Sequence, residues 1–339
     1  MNILLINPVE GRLIGFINYI KKNYTNIKVD QFVAVRFLKK RFHSKKSSIV
    51  HLFLNLIYFF YSFIMCRKKK FDYILLNGWA LAFSYLLLMK VFPFIKPKRD
   101  IIIVYFYLHK LADKRLIQQI LKYLLDQEGV ILHIQSKYEN YFYSEVAKIR
   151  SAKIFYYPYC LDHIPTNEKY GKKKDYIFAG GYTNRDYECL FKAAKNIQYD
   201  FIVICSELNK IPIPTKKIKV LRNLKFEAFN GYLKNSKIVI IPLKNEVGSS
   251  GQMVALSAMS LKKPIIYADA GCISDYFIPN VSGIPYHRGD VADLTDKIKY
   301  LLSNPRKRTE LGNMAFKKFR ESFYITNYYK FLCGIVFEK

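Results

Sequence analysis

The chain alternates short apolar runs with stretches of helical periodicity. In the first 160 residues the predicted strands lie at 3–6, 27–33, 71–76, 101–106, 130–134 and 153–157, and those at 3–6, 101–106 and 130–134 are almost continuously apolar. Runs of this length are typical of strands that are buried on both faces of a parallel sheet. Between them, segments such as 116–125 have the apolar periodicity of an amphipathic helix. This rhythm predicts a doubly wound parallel α/β domain over residues 1–160.

The same rhythm begins again at residue 175. Apolar runs at 176–179, 201–205, 218–221, 238–242, 264–268 and 283–286 alternate with predicted helices at 186–196, 227–234, 252–260 and 291–302. We predict a second α/β domain over 175–322. Residues 161–174, with Pro165, Gly171 and three consecutive lysines, are predicted to link the domains. The aromatic-rich segment 323–339 is predicted to cross back to the first domain.

Residues 49–66 are an apolar stretch of 18 residues, which as a helix would extend about 27 Å, close to the thickness of a bilayer core. His51 and Asn55 interrupt it, and basic clusters at both ends remove the charge asymmetry that orients a single span. We therefore predict a buried or surface-docked helix rather than a membrane span. Its mixture of Tyr, Phe and Lys is also typical of a helix that lies in the plane of a membrane surface.

The segment 238–269 has the pattern strand, polar loop, helix, strand. Its loop contains Glu246, Gly248, Ser249, Ser250 and Gly251, and the predicted helix begins at Gln252. A tight turn at a helix N-terminus directs backbone N–H groups and the positive end of the helix dipole at one point, which suits a phosphate. The alternative is an ordinary serine N-cap on a core helix whose apolar face carries Met253, Leu256 and Met259.

Three further turns follow predicted strands, and ligands of open α/β sheets bind at the carboxyl ends of strands. Gly180 and Gly181 follow the strand at 176–179, and Arg185 comes four residues later. Gly11 and Gly15 are predicted to bracket the turn after the first strand, where glycine permits close approach of a ligand. His109 follows the strand at 101–106, although a lone histidine is also common as a core or surface residue.

The composition adds a strong charge. The 339 residues include 55 Lys and Arg against 26 Asp and Glu, a formal net charge of +29. This excess indicates an anionic partner, namely a membrane surface, a phosphorylated acceptor or a nucleic acid. The basic residues are scattered rather than set in a nucleic-acid-reading motif, so we expect no nucleic acid.

The six cysteines show neither Cys-x-x-Cys nor zinc spacing, and several lie in apolar runs. They are predicted to be buried thiols in a reducing cytosol. The N-terminus lacks the basic and long apolar regions of a signal peptide.

The 238–269 segment resembles the nucleotide-sugar signature of retaining family 4 glycosyltransferases, also described as glycosyl transferases group 1. In that family a Leu-Glu-Ala-Met string follows the phosphate-binding turn, and its Glu binds the donor ribose. Here the string is Leu256, Ser257, Ala258 and Met259, so that Ser257 stands at the ribose position and Ser249 at the position of the family's first Glu. Glu246 lies three residues before Ser249.

The resemblance is strong over 175–322 and is mostly one of rhythm over 1–160. It implies the GT-B architecture, an α/β fold with two Rossmann-like domains facing across a cleft that holds the donor. Arg185 occupies the place of the family's phosphate-binding Lys, whereas Gly181 stands where the family has an Arg. His109 is expected to contact the donor sugar.

The resemblance further implies a glycosyltransferase that uses a UDP- or GDP-linked sugar as substrate, with retention of configuration and without a cofactor. No Asp-x-Asp pair is present, so we expect no metal. Charge and aromatic content favour a cytoplasmic enzyme at the inner face of the membrane. Its expected acceptor is a lipid-linked surface glycan of a lipopolysaccharide, capsule or exopolysaccharide. A GT-B-fold sugar-nucleotide epimerase and a catalytically silent glycosyltransferase-like partner remain as alternatives.

Overall fold

The computed structural model describes residues 1–7, 12–33, 63–104, 115–162, 170–171, 175–244 and 250–337. The chain forms two compact units. The first comprises Met1–Tyr157 together with Leu332–Lys339, and the second is Pro158–Phe331.

The first unit is built on a six-stranded parallel sheet in the order β2-β1-β3-β4-β5-β6. Its strands are β1 (Asn2–Asn7), β2 (Lys28–Val33), β3 (Tyr73–Asn77), β4 (Ile101–Val104), β5 (Val130–Ile134) and β6 (Lys153–Tyr156). Its helices are α1 (Arg12–Asn23), α2 (Trp79–Val91), α3 (Arg115–Leu125) and α4 (Lys137–Tyr141), with short 3-10 and π segments at Pro93–Ile95 and Phe142–Val146. Strands β3, β4 and β5 are buried along almost their whole length, as their continuous apolar runs predict.

The second unit has its own six-stranded parallel sheet, in the order β12-β11-β10-β7-β8-β9. Its strands are β7 (Ile177–Gly180), β8 (Phe201–Cys205), β9 (Ile218–Arg222), β10 (Ile238–Ile241), β11 (Ile265–Ala268) and β12 (Ile284–Tyr286). Its helices are α5 (Tyr187–Lys195), α6 (Phe226–Asn235), α7 (Gln252–Ser260), α8 (Gly271–Ser274), α9 (Val291–Ser303) and α10 (Pro305–Lys318). After a π segment at Phe319–Phe323, the last helix, α11 (Ile325–Phe337), passes from the second unit into the first.

The strand order of the second unit reverses direction between β7 and β10. Chain connections leave β7 toward β8 on one side and leave β10 toward β11 on the other, which makes this pair the topological switch point of the sheet. Ligands of open α/β sheets bind in the crevice outside the carboxyl ends of the strands at such a point. The strand order therefore predicts a ligand site at the loops after β7 and β10.

The prediction of two Rossmann-like parallel α/β domains is confirmed, but some local predictions are wrong. Gly15 does not bracket a turn, since it lies inside α1. Helix α7 was expected to bury one face carrying Met253, Leu256 and Met259. It is instead buried on nearly every side, and Met253 is its exposed residue. A helix that is apolar or neutral all round belongs in a core, which explains the difference.

Residues 49–62 of the predicted helix at 49–66 lie outside the described residues. The described residues 63–68 are helical. Nowhere in the described part of the chain does a helix combine the length and the apolar character that a membrane crossing needs. Five of the six cysteines are buried and form no disulfide, as expected: Cys66, Cys160, Cys189, Cys205 and Cys333.

Candidate functional site

A pocket of about 470 Å³ lies at the carboxyl ends of β7 and β10 in the second unit. Three chain segments form its walls. They are the loop between β7 and α5, the start of α6 with Leu224 two residues before it, and the first two turns of α7 with the two residues before them. The lining residues are Gly181, Tyr182, Thr183, Arg185, Leu224, Phe226, Phe229, Ser250, Gly251, Gln252, Met253, Val254 and Ser257. The pocket therefore lies where the strand order of the sheet predicts a ligand.

Arg185 is folded back against the loop that carries it. Its side chain is 8% exposed, with Nε donating to the carbonyl of Gly180 at 3.0 Å and Nη1 donating to the carbonyl of Thr183 at 2.6 Å. Gly181 has φ of +129°, and a Cβ at this position would overlap the guanidinium group. The glycine at 181 is thus what allows the guanidinium to lie along the loop at the edge of the pocket.

A buried tyrosine at the start of α5 hydrogen-bonds the same loop. The Tyr187 hydroxyl donates to the carbonyl of Gly181 at 2.6 Å and lies 3.3 Å from the carbonyl of Ile204. Burial raises the pKa of Tyr187, so the phenol keeps the proton that it donates. These two contacts tie the Gly181 turn to the carboxyl end of β8.

Backbone hydrogen bonds join the two loops of the switch point. The amide of Asp186 donates to the carbonyl of Pro242 at 3.0 Å, and the amide of Lys244 donates to the carbonyl of Asn184 at 3.3 Å. The Asp186 carboxylate caps α5 by accepting from the amide of Cys189. The pocket wall formed by residues 181–185 is therefore fixed in place by β10 and by the start of α5.

The N-terminus of α7 forms the opposite wall. Its N-cap is Gly251, in the left-handed conformation with φ of +89°, and no side chain of the described residues caps the helix. The serine N-cap alternative is therefore wrong. A Cβ at position 251 would lie 3.0 Å from Cγ2 of Ile241, so glycine fits both the backbone angle and the space. The first amide groups of an α-helix have no acceptor within the helix and lie at the positive end of its dipole.

Two buried polar atoms of α7 lie in the pocket wall without a protein partner. Gln252 is 6% exposed and Ser257 is 1% exposed. Within the described part of the chain, neither Nε2 of Gln252 nor Oγ of Ser257 has a hydrogen-bond partner. An unsatisfied buried polar group costs roughly 1–3 kcal/mol, and such groups commonly mark a site where a ligand supplies the missing partner.

The remaining wall is apolar, and sequence reasoning missed most of it. Leu224, Phe226 and Phe229 come from the segment after β9, and Tyr182 lies between them and the Gly181 turn, with its hydroxyl 3.3 Å from the carbonyl of Leu224. The apolar periodicity of α6 predicts Phe229 as a core residue. The tertiary structure shows that it also lines the pocket.

The charged side chains among the described lining residues of the pocket are of one sign, positive. Among its described lining residues Arg185 is the only cation, and none carries a carboxylate. A helix N-terminus and a guanidinium next to an apolar wall suit a ligand with an anionic part and a flat or apolar part.

The structure brings together six of the residues predicted from sequence: Gly181, Arg185, Ser250, Gly251, Gln252 and Ser257. Gly180 ends β7 and contributes the carbonyl that Arg185 contacts. Gly15 lies apart from them, in α1 of the first unit. Five predicted residues lie outside the described residues and stay predictions: Gly11, His109, Glu246, Gly248 and Ser249. In the described ranges, no cluster of three or more His, Cys, Asp or Glu could hold a metal ion.

Two parallel-sheet α/β units of six strands each, with a pocket at the switch point of the second, define the GT-B fold of glycosyltransferases. The structure matches sucrose-phosphate synthase from Thermosynechococcus elongatus with a TM-score of 0.73 at 14% identity, covering 99% of this chain and 98% of that one. It matches Anabaena HepE in complex with UDP-glucose with a TM-score of 0.65 at 12% identity, covering 100% of both chains. At these identities the likeness establishes the fold.

A sequence comparison matches part of the second unit to a known family model. Residues 208–318 match the model described as Glycosyl transferases group 1, and this range contains the 238–269 segment that carries the resemblance. An uncharacterized glycosyltransferase from Methanocaldococcus jannaschii is 23% identical over 155 residues, which are 43% of this chain and 43% of that protein. The match thus spans less than half the length of this relative.

Proposed function

We propose that this protein is a glycosyltransferase that transfers a sugar from a nucleotide-sugar donor to a glycan acceptor. The observation that carries the proposal is the pocket at the switch point, where the α7 N-terminus, Arg185 and the unpartnered polar atoms of Gln252 and Ser257 converge. The match to the group 1 glycosyltransferases over 208–318 supports it, as does the likeness to a HepE structure that contains UDP-glucose.

In the proposed binding mode the donor diphosphate lies at the N-terminus of α7. The amides of the first helical turn and Nε2 of Gln252 donate to its oxygens, and Arg185 adds a positive charge. Ser257 is proposed to contact the ribose, and the wall of Tyr182 and Phe229 is proposed to accommodate the nucleobase. When the glycosidic bond to the sugar breaks, negative charge grows on the departing diphosphate, and these fixed donors stabilise it.

The loop residues Gly248, Ser249 and Glu246 are proposed to complete the donor site, and His109 is proposed to contact the sugar. We expect retention of configuration and catalysis without a metal ion. These assignments follow from the resemblance to family 4 glycosyltransferases.

The acceptor is proposed to be a growing surface glycan carried on a lipid, as in the synthesis of lipopolysaccharide, capsule or exopolysaccharide. The net charge of +29 supports attraction to an anionic lipid surface. The protein is accordingly proposed to work in the cytoplasm, at the inner face of the membrane.

Donor binding is testable by thermal unfolding in the presence of UDP- and GDP-linked sugars. A ligand that binds only the folded protein stabilises it by about 2.7 kcal/mol at a hundred times its dissociation constant. We expect one nucleotide series to raise the melting temperature of the wild type. Arg185→Ala should reduce this shift more than His109→Ala does. Lys192→Ala, which removes an exposed ion pair with Glu188 outside the pocket, should leave it unchanged.

Failure of every nucleotide sugar to stabilise the protein would contradict the proposal. Once a donor is known, incubation with and without a lipid-linked glycan separates the possible reactions. Transfer requires the acceptor, whereas an epimerase converts the donor alone. A silent partner protein binds the donor and leaves it unchanged in both reactions.

A further inference from the structure

The first unit exposes a row of large apolar side chains across α2 and α3. On α3, Leu116, Ile120 and Tyr123 follow the spacing of one helical stripe, and on α2, Leu87 and Val91 lie one turn apart. Leu116 is 67% exposed and Val91 is 64% exposed, although both belong to helices whose other side packs into the core. We call these five residues, with Ile64 and Phe94, the α2–α3 face.

Contacts at its boundaries make the α2–α3 face continuous. Lys90 of α2 places its Nζ 4.1 Å from the centre of the Tyr123 ring of α3, which joins the two helical stripes. At the other end, the ring of Phe94 lies 5.2 Å from that of Phe63, the residue before Ile64. Lys70 donates to the carbonyl of Phe94 at 3.0 Å. A contiguous exposed apolar patch on a soluble unit commonly marks an interaction site.

The segments that carry the α2–α3 face contain charges of one sign, although Lys69 pairs with Asp30 of β2 at 2.7 Å and Asp100 and Asp126 directly follow two of the segments. The segments that carry it, 63–70, 79–99 and 115–125, contain ten Lys and Arg residues and no Asp or Glu. Helices of the second unit differ, since they carry lysines next to acids of the same helix. Examples are Lys192 with Glu188 at 2.9 Å, Lys297 with Asp293 at 3.4 Å and Lys307 with Glu310 at 2.8 Å. The general basicity of the chain does not account for three neighbouring segments that contain basic residues and no acid of their own.

We propose that the α2–α3 face is the surface by which this protein docks on an anionic lipid bilayer. Leu87, Val91, Leu116 and Ile120 enter the boundary between headgroups and acyl chains. The surrounding lysines and arginines contact lipid phosphates, as on an interfacial amphipathic helix. Tyr123 and Phe94 are of the aromatic type that favours this depth.

Charge and chemistry favour lipid over the other possible occupants. A second copy of the chain would bring two sets of ten like charges together, which opposes self-association through this face. Nucleic acid offers phosphates but no acyl layer, so it would leave the aliphatic side chains of α2 and α3 in contact with water or sugar. A bilayer with anionic headgroups satisfies both the apolar and the basic residues.

The experiment is vesicle flotation of the full chain, with phosphatidylcholine vesicles compared with vesicles that also contain phosphatidylglycerol. We expect binding to the anionic vesicles that weakens as salt is raised. Leu87→Ser with Leu116→Ser should weaken partitioning by about a hundredfold, or about tenfold per side chain. Lys96→Gln, Lys98→Gln and Lys122→Gln together should weaken it by about fivefold per charge. All five residues are exposed, so the variants are expected to fold.

The second unit provides a matched control. Leu208 is 85% exposed and Ile213 is 91% exposed, and Leu208→Ser with Ile213→Ser should bind vesicles as the wild type does. Three outcomes would overturn the proposal. They are wild-type binding to neutral vesicles that ignores salt, undiminished binding of the Leu87 and Leu116 double variant, and equal loss of binding in the control.

Light scattering without lipid tests the remaining occupants. A wild-type dimer that the Leu87→Ser and Leu116→Ser variant converts to monomer would show that a second copy covers the face. RNA is the other occupant to test. The face would be a nucleic-acid surface if the wild type binds RNA but no vesicles, the triple lysine variant loses RNA binding, and the Leu87→Ser and Leu116→Ser variant keeps it. The inference rests on the membrane association proposed above and not on sugar transfer. A failure of vesicle binding would therefore leave the donor-binding proposal standing, and a failure of donor binding would leave the docking surface standing.

Discussion

At the scale of single residues, small side chains decide the shape of the candidate site. Gly181 leaves the space in which the guanidinium of Arg185 lies, and Gly251 allows α7 to begin against Ile241. Because Arg185 bonds the carbonyls of Gly180 and Thr183, it orders the loop as well as charging the pocket. A lysine could supply the charge but not this forked contact, which gives a physical reason for arginine at position 185.

Ser257 allows a test in which stability and binding change in opposite directions. Ser257→Ala removes a buried hydroxyl that has no partner in the described structure, so the ligand-free protein should gain about 1 kcal/mol in free energy of unfolding. The same change should weaken donor binding, since the donor loses a contact. Chemical unfolding and ligand titration measure the two effects.

Ser260→Ala is the matched control on the same helix. The Ser260 hydroxyl donates to the carbonyl of Ser257 at 2.9 Å, so its removal should lower stability slightly and leave donor binding unchanged. Destabilisation by Ser257→Ala with unaltered donor affinity would show that Ser257 is only a packing residue.

At the scale of elements, β5 carries a fully buried titratable group outside the pocket. His133 is fully buried in the sheet of the first unit, and one ring nitrogen lies 2.9 Å from the carbonyl of Tyr157. Burial lowers the pKa of His133 to about 4, because the charged imidazole would lose its hydration. The strand thus carries a titratable group that is stable only in its neutral form.

This histidine predicts a defined acid sensitivity. The unfolded chain binds a proton near pH 6.5 and the folded chain only near pH 4, so stability is full above pH 6.5 and falls as the pH drops toward 4. The loss should total about 3 kcal/mol, at most about 1.4 kcal/mol per pH unit. His133→Gln removes the titration, and its unfolding free energy should fall less between pH 7 and pH 5. Equal pH dependence in both proteins would contradict the assignment.

At the scale of the whole molecule, the two proposed surfaces belong to different units. Every lining residue of the pocket lies in the unit Pro158–Phe331, whereas the α2–α3 face lies in the unit that contains Met1–Tyr157. Each unit has its own sheet and core, so each can in principle unfold as a cooperative body.

Calorimetry should therefore show that a nucleotide acts on one unit. We expect UDP or GDP, whichever binds, to raise the transition of the second unit and to leave that of the first unit in place. Gly181→Ala, which strains the pocket loop, should lower the same transition. A nucleotide shift confined to the other transition would place the donor site outside the pocket described here.

Much of the fold could be predicted because local pattern and tertiary structure agree. The runs at 3–6, 130–134 and 201–205 are strands within one residue of the predicted limits, since a strand buried on both faces is almost continuously apolar. The site was predictable where backbone requirement and chemistry coincide, as at Gly181, Gly251 and Arg185. Phe226 and Phe229 were not, because nothing local distinguishes an aromatic residue that lines a pocket from one that fills a core.

By itself, the sequence determined the order and type of the elements, the existence of two α/β halves and the glycine-bearing turns, since these depend on periodicity and backbone freedom. Only the tertiary structure decided which loops meet. Strand order places the ends of β7 and β10 side by side across residues that are about sixty positions apart. It also left side-chain atoms of Gln252 and Ser257 without a partner among the described residues, and it left Leu87 and Leu116 outside the core. Burial is a property of packing between distant segments, which no local pattern contains.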